Sequence, residues 1–220
     1  MSGIVLASAS PSRLRLLRMV GIEPTVLVSG VDEESKEYEL LSPKELVIAL
    51  AIVKAHTVAT MLRSNPSKSS DLGATAPKIV IGCDSTFEFE GVSLGKPGTR
   101  ERAIERCKAI QGKSGVLHTG HCIIDLVSMK EYSDIASTRV HFETMSESEI
   151  EAYVDSGEPL NVAGGFTLDG LSAPFIRAIE GDWSNVIGLS LPLVRKAITS
   201  FGYQWFDVAT EGNPNEVGSP

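Results

Sequence analysis

The sequence predicts an α/β protein built on a mixed central sheet with flanking helices, and three observations carry that prediction. Apolar runs of strand length alternate with helical spacing through the first half of the chain. Two long strand-like runs in the middle are separated only by a short turn, which makes them antiparallel neighbours. The 220 residues are 42% hydrophobic and 22% charged, enough to bury the core such a sheet needs and far from a disordered or low-complexity composition. The length suits one large domain or two closely joined lobes.

The elements follow in order. GIVLA at 3–7 reads as a strand that gives way to SASPS, and SRLRLLRMV then shows helical spacing ending at Gly21. PTVLVS at 24–29 reads as a second strand, and Ser42-Pro43 opens a long helix to about Leu62. Residues 64–77 are dense in Ser, Pro and Gly without periodicity, which predicts a mobile surface loop. KIVIGCDS reads as a buried strand ending in an acidic residue, FEFEGVSLG as a hairpin turning at Glu90-Gly91, and TRERAIERCKAIQG as an amphipathic helix. VLHTGHCIIDLVS and YSDIASTRVHFETM flank a turn near Met129-Lys130, and Ser146 to Glu149 form a capping box for EIEAYVDSG. A Gly-rich AGGF, a strand SAPFIRAI, a helix over about 184–200 and a final aromatic strand YQWFDV complete the pattern. One domain over 1–207 is then followed by a flexible tail at 208–220.

Composition and motif spacing exclude several functions. A net charge of −8 lacks the cationic footprint of a general duplex-binding surface. No run of 18 or more uncharged apolar residues exists, and the opening MSGIVLASAS lacks the basic and apolar regions of a secretory signal, so no membrane association is expected and the expected location is the cytoplasm. Three cysteines without a CxxC read as buried thiols. GVSLGKP has its glycines one residue too close for a P-loop and Pro97 where the Mg-binding hydroxyl belongs. GLSLP lacks the last glycine of a nucleophile elbow, and no GxGxxG follows a strand. His118 and His121, three apart in a strand, point to opposite faces and read as ordinary strand histidines.

What remains is a scattered set of charged and hydroxyl groups. Ser8-Ala9-Ser10-Pro11-Ser12-Arg13 stands where a strand feeds a helix, so amides, hydroxyls and a guanidinium can converge on one anion; taken alone, the same residues make a plain helix cap. Arg15 and Arg18 are assigned to solubility or the helix C-terminal dipole. Lys54, a lone ammonium in the apolar helix VIALAIVKAHTVA, either snorkels to solvent or points at something negative. Asp84 directly follows KIVIGC, at the carboxyl edge where α/β sheets present ligand-binding groups, or else bonds its own turn. Glu33 and Lys96 are further candidates. Together these groups supply what phosphoanhydride hydrolysis without a P-loop requires. Carboxylates hold a divalent ion, cations neutralise phosphate oxygens, and a carboxylate orients or deprotonates water.

The ordered set LASASPSR, GCDS, LGKP, SGEP, AGGF and GDWSNVIGL, spread over about residues 4–205, resembles the Maf family, the septum-formation-inhibitor-like nucleotide pyrophosphatases. The resemblance implies a mixed α/β fold with a cleft between two lobes, related to inosine-triphosphatase-like enzymes. It also implies hydrolysis of nucleoside triphosphates to monophosphate and pyrophosphate with Mg²⁺ or Mn²⁺, in a cytoplasmic homodimer. By the same resemblance Ser8, Ser10 and Arg13 match the phosphate-binding opening; Ser12, Ser85 and Asp169 are added as expected substrate contacts. Glu33 matches the acidic loop as a metal ligand, Lys54 the helix lysine, Asp84 the proton acceptor or metal ligand, and Lys96 the GKP lysine. The chain departs from the family at Ser12, where a second arginine is frequent, and at Asn161-Val162-Ala163-Gly164 in place of Asp-Lys-Ala-Gly. Asp169 stands where the pyrimidine-selective branch usually shows glutamine, so a preference for dTTP or UTP is not implied. A rival reading, a catalytically idle nucleotide-binding regulator of cell division, needs the cleft without turnover; Asp84, Glu33 and both lysines argue for the enzyme. A phosphomonoesterase would need a phosphoryl-accepting nucleophile motif, and none is seen.

Overall fold

Alternation of apolar runs with turn residues produces a seven-stranded mixed sheet in the computed structural model, which describes residues 3–64 and 78–209. The strands are β1 (Ile4–Leu6), β2 (Thr25–Val26), β3 (Ile79–Phe89), β4 (Val92–Leu94), β5 (Ser114–Asp125), β6 (Glu131–Phe142) and β7 (Ile176–Glu180). Their order is β2-β1-β3-β5-β6-β7, with β4 pairing β3. β1 pairs parallel with β2 and β3, and every other pair is antiparallel, so the sheet is mixed as the sequence requires. The helices are α1 (Pro11–Met19), α2 (Pro43–Ser64), α3 (Arg100–Ile110), α4 (Glu147–Asp155), α5 (Trp183–Ile187), α6 (Leu191–Ser200) and α7 (Trp205–Ala209). The capping box at Ser146 and Glu149 is made, and the β3–β4 hairpin turns at Glu90-Gly91 with both residues at positive φ, the twist-matched geometry of a tight hairpin.

The two faces of the sheet are covered by different helices. Val5, Ala7, Val80, Cys122 and Ile124 pack against Ala51, Ala55 and Val58 of α2. The other face, Ile4, Leu6, Ile79, Ile81 and Ile123, packs against Leu16 and Leu17 of α1 and Leu193, Val194, Ala197 and Ile198 of α6. With 22 residues and a mean hydropathy of 1.7, α2 has the length and apolarity of a membrane span, but it lies along β3 and β5 and puts Lys54 against the sheet. It sits close because two glycines lie beneath it. A Cβ on Gly82 would stand 2.5 Å from the Ala51 carbonyl oxygen, and one on Gly120 would collide with the Val47 carbonyl. Gly82→Ala is therefore expected to lower unfolding free energy by about 1–3 kcal/mol, the usual cost of overpacking against atoms that cannot turn aside. Gly95→Ala, whose Cβ meets nothing within 4 Å, should stay near wild type. Urea denaturation of the two variants reads the difference.

The pairing of β3 creates the opening that matters. Along one edge β5 pairs with it from Ile79 to Glu88. Along the other edge β1 pairs only with Ile79–Ile81 and β4 only with Phe87–Phe89. Among the described residues, the stretch 82–86 thus has one edge without a ladder partner, and Asp84 lies at its centre. This corrects the expectation that the strand ends at Asp84: the strand runs on through it, and it is β1 that stops.

Three other expectations are corrected. The helix expected over 184–200 is two helices, α5 and α6, separated at Gly188, which takes φ 114 as the α5 C-cap; Ser190 then caps α6 and Pro192 sits in its first turn. The terminal YQWFDV is not a strand: Tyr203, Trp205 and Val208 pack on the α6 side of the core, and Trp205–Ala209 is helical. SAPFIRAI begins as a 3-10 turn at Ala173–Phe175 and becomes strand only at Ile176. The loop expected over 64–77 lies, beyond Ser64, outside the described residues, as does the expected tail from 210 onward.

The junction of β5 with α6 carries a pH dependence. His121, fully buried, accepts a hydrogen bond from the Ser190 amide (2.9 Å), and its other ring nitrogen lies 3.1 Å from the Thr119 carbonyl. That pair of partners assigns the neutral ring, protonated at Nδ1. Burial, with the charge of Arg13, pulls its pKa down to about 4. Between the ordinary histidine value and that value the unfolded chain holds a proton the folded one refuses, so stability falls as pH drops through this window, by about 3 kcal/mol in total. Unfolding free energy measured from pH 7.5 to 4 in EDTA should show this slope in wild type, and His121→Gln should flatten it.

Candidate active site

The serine-rich turn after β1 is organised around one arginine. Ser10 caps α1 by accepting from the Arg13 amide, and the Ser10 amide donates to the Ser8 hydroxyl at 3.2 Å. The Arg13 side chain folds back under this turn. Its Nη1 donates to the Ser8 hydroxyl (2.8 Å) and to the Cys83 carbonyl (3.0 Å), its Nη2 to Ser85 Oγ (2.8 Å) and its Nε to the Gly188 carbonyl (2.7 Å). The Cys83 carbonyl belongs to the unladdered edge of β3, so Arg13 covers part of the gap between β1 and β4. Four of the five N–H donors of a guanidinium are thus directed at protein. Arg13 brings its charge to the gap and also pins Ser8, β3 and the α5–α6 break together. Ser85 reaches on to Thr119 Oγ1 at 2.9 Å.

On the other face of β3, Lys54 does not snorkel. Its Nζ lies 2.6 Å from Asp84 Oδ1 and 2.6 Å from Glu33 Oε1, with the lysine side chain 8% exposed, Asp84 12% and Glu33 47%. One ammonium therefore joins two carboxylates, one at the bottom of the opening and one on the loop after β2. Their environments push them apart. Burial raises the pKa of Asp84, although Lys54 and Arg13 oppose it. Glu33 is also penalised by burial, but the hydrogen bond and charge of Lys54, with Lys96 and Arg13 behind it, hold it below the ordinary carboxylate value. Glu33 stays ionised while Asp84 binds a proton more readily, the asymmetry that separates a fixed charge from a working base.

Lys96 stands exposed on the loop after β4, within Coulombic reach of Glu33. That loop is held from behind: the Gly95 carbonyl accepts from the Gly164 amide (3.2 Å) and from Arg106, and Phe166 of AGGF stacks edge-on to Phe87 at 5.0 Å. Asp169 lies apart from the Lys54 cluster and pairs with Arg15 Nη2 at 2.6 Å, which also bonds Ser12 Oγ at 3.1 Å. Glu158 of SGEP braces the Asp169 loop by accepting from the Leu171 amide and the Thr167 hydroxyl.

Of the residues the sequence singles out, Arg13, Ser8 and Ser85 therefore form one hydrogen-bonded group, and Lys54, Asp84 and Glu33 a second, with Lys96 facing Glu33. Ser12 and Asp169 form a third group joined by Arg15. The sequence reading missed Arg15, assigning it to solubility, and missed Thr119 and Glu158; only Glu158 carried a signal, its place in SGEP. Two carboxylates and three cations around a main-chain opening suit a polyanion that carries its own divalent ion.

Comparison with known proteins gives a consistent result. Residues 3–201 match the family described as Maf-like protein. The chain is 52% identical over 199 residues to a protein of Streptomyces coelicolor named nucleoside triphosphate pyrophosphatase, covering 90% of each chain. Proteins of the same name from Salinispora tropica and Prochlorococcus marinus are 48% and 43% identical, over 89% and 90% of this chain and 82% and 97% of theirs.

Proposed function

The chain belongs to the Maf-like family, and from that premise we propose that it is a nucleoside triphosphate pyrophosphatase, cleaving between the α- and β-phosphates to release monophosphate and pyrophosphate. The observation that carries this reading is the single ammonium of Lys54 bridging a buried Asp84 and an ionised Glu33 beneath the gap at the end of β1. Water attacks the α-phosphorus, its proton passes to Asp84, and the bond to the bridging oxygen breaks so that pyrophosphate leaves. Lys54 holds Asp84 in place and favours its ionised form against the effect of burial. Arg13 and Lys96 add positive charge within reach of Glu33, and the Ser8 and Ser10 hydroxyls with the start of α1 line the approach of the triphosphate.

The donor set also fits a divalent ion. Asp84 and Glu33 each give one oxygen to Lys54 and present a second, and carboxylate oxygens are the ligands Mg²⁺ and Mn²⁺ prefer. When bound, such an ion would neutralise phosphate oxygens. Cleared nucleotides can be canonical or modified, a house-cleaning role for the nucleotide pool.

The test is to incubate the purified protein with a panel of nucleotides and Mg²⁺ or Mn²⁺ and separate the products. Monophosphate and pyrophosphate in equal amounts are expected. Binding without turnover of any nucleotide, or orthophosphate in place of pyrophosphate, would overturn the assignment.

A further inference from the structure

Beside α2, His56, Cys122 and Glu131 bring a ring nitrogen, a thiol sulfur and a carboxylate oxygen within 4.8 Å of one another. His56 comes from α2, Cys122 from β5 and Glu131 from the first residue of β6. His56 and Glu131 meet at 2.8 Å with side chains 55% and 36% exposed, while Cys122 is fully buried beneath them. Ser133 donates to the other oxygen of Glu131 at 2.9 Å, fixing which oxygen faces the histidine. A surface histidine–glutamate pair needs no thiol under it. A metal site would use the thiol as a third ligand and the serine as an outer partner that orients the carboxylate.

We propose that these three residues form a zinc site separate from the nucleotide opening, with water completing a tetrahedral shell. One nitrogen, one sulfur and one oxygen ligand select Zn²⁺ over Mg²⁺ or Mn²⁺, which favour oxygen alone. Zinc bonds of about 2.1 Å to nitrogen and oxygen and about 2.3 Å to sulfur set ligand atoms about 3.4–3.6 Å apart. The exposed His56 and Glu131 side chains swing apart by a fraction of an ångström to admit the ion, and the thiol proton leaves to solvent as sulfur coordinates. Lys54 and His56 are two residues apart on α2, the first buried and bonded to Asp84, the second exposed and bonded to Glu131. The ion therefore ties α2 to β5 and β6 without touching the Lys54 cluster.

The test uses the metal-stripped full chain without nucleotide. Titration with Co²⁺ should give one equivalent bound, with thiolate-to-metal charge transfer and the visible bands of a tetrahedral site. Zn²⁺ should displace it and excess Mg²⁺ should not. Cys122→Ser should abolish the charge-transfer band, Cys107→Ser should leave it, and His56→Gln and Glu131→Gln, both on the surface and compatible with folding, should weaken Co²⁺ binding at least tenfold. Zn²⁺ should raise the melting temperature of wild type and not of His56→Gln. A wild-type chain with no charge-transfer band, a band that survives Cys122→Ser, or an affinity unchanged by both surface variants would overturn the proposal.

Discussion

Asp84→Asn lowers the rate of pyrophosphate release by about 10²–10⁴-fold, the contribution of a positioned general base, while nucleotide affinity changes by no more than a few-fold. The asymmetry between rate and affinity follows from the geometry. Asparagine keeps the shape of the side chain and a carbonyl oxygen for Lys54, so the cationic surroundings that attract a triphosphate persist. What is lost is the oxygen able to take the water proton. Steady-state kinetics paired with calorimetric titration of a nucleotide measure the two quantities independently. A variant that keeps a rate within tenfold of wild type would remove Asp84 from the chemistry.

Lys54→Met is expected to damage both activity and folding. The ammonium is the shared partner of Asp84 and Glu33, and without it Asp84 is left at 9% exposure with its pKa already raised by burial. Removing one partner of a buried pair typically costs about 3–5 kcal/mol, because the abandoned charge stays in a poorly solvated place. Turnover falls at least as far as in Asp84→Asn, since Asp84 loses the partner that holds it in place and favours its ionised form. The double variant Lys54→Met with Asp84→Asn separates the causes. It regains part of the lost stability because the stranded charge is gone, but none of the activity. If Lys54→Met melts with wild type, the pairing described here does not hold the opening together.

How much of this the sequence discloses depends on whether the signal is local. The alternation of strands and helices, the capping box at Ser146 and the hairpin at Glu90 are written in neighbouring residues, and they appear where expected. The break at Gly188 was also local, since Ser190 and Pro192 announce a new helix, but the apolar spacing of GDWSNVIGLSLP ran on convincingly across it. YQWFDV misleads for the opposite reason: its aromatic residues suit a strand, and it becomes helix because they are needed over the α6 side of the core, where tertiary packing outweighs propensity. The candidate site follows the same division. The residue types were legible one by one. Whether Lys54 meets water or a carboxylate depends on partners 21 residues before it and 30 after it, which no local pattern encodes. Arg15 escaped notice because its partner, Asp169, lies 154 residues away.

Among the described residues, the missing ladder partner along residues 82–86 of β3 adds a base of peptide groups beside the Asp84 side chain. Such a base cannot be mutated away one amino acid at a time. Selectivity for one nucleobase or another would then be free to drift with side chains such as Ser12, Arg15 and Asp169, which form a separate group, while the main-chain groups beside Asp84 stay. A single scaffold can in this way acquire new substrates without rebuilding the machinery that cuts them.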